Sequence, residues 1–153
     1  MTFRAPRWPA LLAVGLLCAG LARAEAPLAR AAWARATPPG SDVAAVYVTL
    51  VGGATADRLE NANTPRATMT HLHSVDDAGG MARMRAVEGV DVPAGKTVAL
   101  APQGLHIMLM GLDKPLVAGE RFPLTLHFAH GGDRVVEVRV QSPTAPPPVS
   151  IKP

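Results

Sequence analysis

The chain has 153 residues, of which 48% are hydrophobic, 18% charged and 4% aromatic, with fifteen Lys and Arg against twelve Asp and Glu. Such a length fits one domain. Three of the basic residues, Arg4, Arg7 and Arg23, lie in the first 24 positions, which hold no acid; without them the charge is balanced, so the basic pI gives no support for a nucleic-acid or anionic-membrane partner.

Residues 1–24 read as a secretory signal. Arg4 and Arg7 make a positive start, Leu11 to Leu21 is an apolar run too short to span a bilayer comfortably, and Ala22-Arg23-Ala24 is a small-x-small cleavage site. The chain's one cysteine, Cys18, follows Gly15-Leu16-Leu17 rather than the small residues that lipidation requires. It would leave with the signal. The expected mature protein is exported, without stable membrane insertion, and has no disulfide and no thiolate. Its stability must come from its core.

Beyond the signal, short apolar runs alternate with Gly, Pro, Asn and Asp, and no long stretch has helical period. That pattern predicts an all-β sandwich or barrel over residues 25–141. Leu28 to Ala36 is a first strand, ended by Thr37-Pro38-Pro39-Gly40. Val43 to Val51 is an unbroken β-favouring run, expected to be central. Asp57 to Asn61 is a short strand. Ala67 to Val75 and Met81 to Val87 form a hairpin around Asp76-Asp77-Ala78-Gly79-Gly80, with both aspartates in the turn. Val90 to Lys96 reads as a Pro/Gly turn, and Thr97 to Ala101 as a strand. Gly104 to Met110 is a further strand, and 121–129 with 134–141 make a last hairpin. Residues 142–153, with five prolines, read as an extended tail.

Chemistry concentrates in two of these segments. Alternation puts His106 and Met108 on one face of their strand and Ile107 and Leu109 on the other. Met69, His71 and His73 share a face in the same way. Thioether sulfur is soft and selects Cu(I), while imidazole suits copper in either oxidation state. Zinc does not usually take methionine, and a blue-copper centre needs the cysteine thiolate that the mature chain lacks. No nucleophile elbow, His-Glu-x-x-His, phosphate loop or carboxylate pair is present, so no enzymatic activity is expected. His127 and His130 have no partner motif.

His73, ten residues, Met84, twenty-one residues, His106, one residue and Met108 resemble the His-x10-Met-x21-His-x-Met pattern of the PCuAC-type periplasmic copper chaperones. Ala32 to Gly40, Met84 to Gly89, Val92 to Gly95 and His106 to Leu112 are similar to other segments of that family. The resemblance spans roughly residues 30–141. It implies a cupredoxin-like Greek-key β-sandwich or barrel that binds Cu(I) through His73, Met84, His106 and Met108. It also implies a place in the periplasm and delivery of copper towards the CuA centre of cytochrome oxidase, alongside Sco-type proteins. A copper buffer or resistance protein without a delivery role is the alternative, and a purely structural β module is a third. Three family features are missing: Val75 and Ala82 stand where members often have methionine, and the tail has neither His nor Met. His71, one pleat from His73, is a possible auxiliary ligand or a rim residue. Met110 is a possible auxiliary ligand or a packing neighbour.

Overall fold

The computed structural model describes residues 26–148. The segment read as a signal, and the last five residues of the tail, lie outside the described residues. Ten strands form within them: β1 (Leu28–Arg35), β2 (Val43–Val51), β3 (Asp57–Asn63), β4 (Ala67–Ala78), β5 (Met81–Ala86), β6 (Val90–Val92), β7 (Thr97–Leu100), β8 (His106–Leu112), β9 (Arg121–Phe128) and β10 (Gly132–Gln141). The expected all-β class is the observed one.

The strands hydrogen-bond in the order β5-β4-β8-β2-β1-β10-β9-β3-β6. β2 is central, as its apolar run predicts. One stretch of it pairs with β8 and the next with β7, so both lie along the same edge. Every pairing is antiparallel except β1 with β10, which join the two ends of the domain in parallel. The sheet curls until β3 and β4 approach each other, and the Thr70 hydroxyl donates to the Ala62 carbonyl across that seam.

Period-two alternation builds the core. β2 sends Ala44, Val46, Val48 and Leu50 inward, β8 sends Ile107 and Leu109, and β9 sends Phe122, Leu124, Leu126 and Phe128. Each large side chain buried this way contributes about 1.5–3 kcal/mol. β1 departs from strict alternation. Its register with β2 slips between Arg30 and Trp33, where Ala31 takes φ 51°. The extra residue is a bulge, and it sets Trp33 opposite Tyr47, with ring centroids 4.6 Å apart.

Two expectations need correction. Val90–Val92 is a strand, paired with β3, and only the residues after it turn. Val90 and Val92 are buried, so a three-residue strand is anchored despite its neighbouring Pro93 and Gly95. Asp76 and Asp77 are not in the turn. They pair with Arg83 and Ala82 inside the hairpin, whose turn is Gly79-Gly80. Both glycines have positive φ, which makes so tight a reversal possible and releases the aspartates to the strand.

Candidate metal centre

β8 lies between β2 and β4, and β5 continues the sheet beyond β4. The register of these strands places the outward side chains in rows. His73 is the direct partner of His106, His71 of Met108, and Met69 of Met110. On the far side of β8, Ala45 is opposite Met108 and Val43 opposite Met110. β5 adds Met84 opposite Val75, one diagonal step from His73. The outward positions 43–47, 69–75, 82–86 and 106–110 of these four strands carry no charged side chain.

His106 is the residue most enclosed by this arrangement, at 4% exposure. Neighbouring rings cover it. The His73 ring stands edge-on at 5.8 Å between centroids, and the Tyr47 ring lies at 6.4 Å. Tyr47 in turn packs on Trp33, over which the Arg35 guanidinium sits at 5.7 Å. Burial raises the Tyr47 phenol pKa, partly offset by the Arg35 charge. Sequence reasoning missed Tyr47 as a wall of this site. Its outward position follows from alternation in β2, but its neighbour does not, because that depends on the pairing of β2 with β8.

The two histidines are prepared differently. His106 Nδ1 lies 3.0 Å from the Gly104 carbonyl. A carbonyl only accepts, so Nδ1 carries the proton, and in the neutral ring Nε2 keeps a lone pair. The same carbonyl accepts from the Val75 amide, tying the histidine's partner to β4. His73 Nδ1 is buried and has no hydrogen-bond partner among the described residues. Burial, then the neighbouring His106 and His71 rings, hold the His73 pKa below its ordinary value, which keeps the imidazole neutral. A buried polar atom without a partner costs free energy.

Met84 and Met69 are about half exposed, at 52% and 53%. Met108 and Met110 are half-buried. His71 is exposed, its ring stacked at 6.2 Å from that of His73. Among the described residues, no three His, Cys, Asp or Glu side chains are grouped to hold a metal ion. A site on this face must therefore draw on methionine sulfur. His127 is elsewhere, held by Asp133 at 2.7 Å and Asn63 at 2.6 Å, and His130 is in the turn after β9. Neither joins this face.

A model of the LpqE-like family, described as putative lipoprotein LpqE-like, matches residues 28–140. A putative lipoprotein of Leifsonia xyli subsp. xyli is 39% identical over 111 residues, covering 72% of this chain. The chain spans 66% of that relative's length. The solution structure of Cu(I)-bound DR1885 from Deinococcus radiodurans is 34% identical, with TM-score 0.63 over 82% of this chain and 85% of that one. The copper-bound PCuAC domain of PmoF2 is 22% identical, with TM-score 0.64 over 75% and 92%. At that identity it speaks for the fold, which is the cupredoxin-like architecture that the resemblance implied.

Proposed function

Because the chain belongs to the LpqE-like family, with the PCuAC fold, we propose that it is an exported carrier of Cu(I), held by His73, Met84, His106 and Met108. One observation carries the reading: His73 and His106 are cross-strand partners, one with an unpartnered buried nitrogen and the other with its proton fixed on Nδ1. Copper at that point engages the unpartnered atom and the free lone pair together. Met108 lies on the same face of β8, one pleat from His106, and Met84 is on β5, the strand beyond β4. Two thioethers and two imidazoles suit Cu(I) over harder or thiolate-seeking ions. The ion is cargo, and four donors leave no position for a substrate, so the role is carriage rather than catalysis.

The protein's own residues divide the work. His106, covered by Tyr47 and His73, keeps water from one side of the ion. Met84, half in solvent, is the donor that an acceptor can replace first. Soft ligands on the acceptor would then take the ion by stepwise exchange. We place this exchange in the periplasm, with the CuA subunit of an oxidase as recipient and a Sco-type protein as companion. The export pattern of residues 1–24 supports the compartment and the Cu(I)-bound DR1885 supports the cargo, while recipient and companion rest on the family resemblance.

A competition titration against a chromophoric Cu(I) chelator tests the binding. The expected result is a tight Cu(I) site that is lost in His106→Ala/Met108→Ala. Equal binding by the double variant would overturn the assignment. Delivery is tested by CuA content in a deletion strain under copper limitation. Normal content would leave a buffering role instead.

A further inference from the structure

The face that carries the four proposed ligands continues past them. One row up from His73 and His106, His71 is opposite Met108, and the next row pairs Met69 with Met110. Cross-strand partners have Cβ atoms about 5 Å apart, and rows on one face repeat at roughly 7 Å. Met69, His71 and Met110 therefore form a compact triangle of two thioethers and one imidazole, none of which the four-ligand site uses. Methionine has three rotatable bonds, so both sulfurs can turn toward the ring between them. Met69 is 53% exposed, and an open cleft of about 280 Å³ runs beside it and His71, lined also by Thr68, Thr70, Asn61 and Asn63. An ion from solution has direct access there. Among the described residues, none of the three side chains has a hydrogen bond or ion pair that would have to break.

From this we infer that Met69, His71 and Met110 form a second soft-metal site, specific for Cu(I), adjoining the first and open to the cleft between β3 and β4. It goes beyond the four-ligand reading, which it does not require. Two thioethers, which carry no proton, and one imidazole suit a monovalent soft ion. With three donors and an exposed position, the site is weaker than its neighbour. When both are filled, two cations sit on the order of 10 Å apart, which weakens the second further. Such a site serves for loading or unloading, where an ion is received from the cleft before it passes to the enclosed His106. The chain lacks sulfur at Val75 and Ala82, on the other side of His73. Its extra soft donors are displaced to this side.

The test is a titration of the full exported chain with Cu(I), and with Ag(I) as an oxidation-resistant substitute, followed by methionine methyl resonances. Two equivalents are expected. The first should move the Met84 and Met108 methyls, and the second, binding on the order of tenfold more weakly, those of Met69 and Met110. Met69→Leu/His71→Gln, on the exposed face where the fold tolerates both, should lose only the weaker equivalent. His106→Ala should keep it. If Met69 and Met110 stay unmoved at two equivalents, or if they move only with the first, the second site is refuted. The four-ligand reading fails separately, by unmoved Met84 and Met108.

Discussion

His106 donates its Nδ1 proton to the carbonyl of Gly104, two residues earlier, at 3.0 Å. A strand thus orients its own proposed ligand, through the turn that leads into it. The turn is Ala101-Pro102-Gln103-Gly104, closed by the Gly104 amide on the Ala101 carbonyl at 3.1 Å. Gln103 takes φ 65° there, a conformation that β-branched side chains resist.

Gln103→Val should therefore displace the Gly104 carbonyl and free the His106 ring. Disturbing such an orienting bond typically costs metal affinity tenfold or more, so Cu(I) affinity should fall roughly tenfold without loss of stoichiometry. Gln103→Gly, which accepts the same φ, should bind as the parent does. Chelator competition on both variants checks this, and equal affinities would remove the role assigned to the turn.

The metal-free protein should lose stability in mild acid through His73. Its folded pKa is lowered by burial and by the His106 and His71 rings, against 6.5 for the free group. Above the unfolded value both states are neutral and the group has no effect. As pH falls through it, the unfolded chain binds a proton that the folded chain refuses, and stability declines until the lower folded pKa is passed. Denaturant melts of the metal-free parent and of His73→Gln should diverge in this window. Parallel pH profiles would contradict the expectation.

Gly111, at the outer end of β8, has φ 65°, and a Cβ there would sit 2.8 Å from the Thr68 hydroxyl oxygen. Gly111→Ala should destabilise the fold by about 1–3 kcal/mol. Since Gly111 is close to Met110, the weaker metal equivalent should be perturbed more than the tight one. Thermal melts with and without Ag(I) measure both effects.

Asp57 is buried, and its carboxylate accepts from the amides of Arg58, His130 and Gly131 at 2.8, 3.0 and 2.8 Å. It ties β3 to the turn after β9. Asp57→Ala leaves these donors without a partner and should cost about 2 kcal/mol or more. Cu(I) stoichiometry should not change, because the turn is remote from β4 and β8. A chemical denaturation midpoint within error of the parent would show that the turn holds without it.

The strands were legible wherever hydrophobic alternation extends over five or more residues, as in β2 and β9. β6 was not, because Val-Asp-Val between Gly89 and Pro93 has too few residues to display a period. The ligand candidates could be read from residue type and spacing, since His106 and Met108 share a face in any strand. What the sequence could not reveal was lateral order. Nothing local in Tyr47 says that β2 will lie beside β8, and nothing local in His71 says that Met108 will be opposite. Those neighbours follow from the register of three strands at once, a tertiary property. The enclosure of His106 is of the same kind.

The parallel pairing of β1 with β10 brings Trp33 beside Arg139, over a hundred residues apart along the chain. The half that carries the proposed ligands is more local, since β4, β5 and β8 all fall within residues 67–112. The barrel, however, cannot close until its last strand arrives. Such distant pairings slow folding, because loop entropy is lost before contacts repay it.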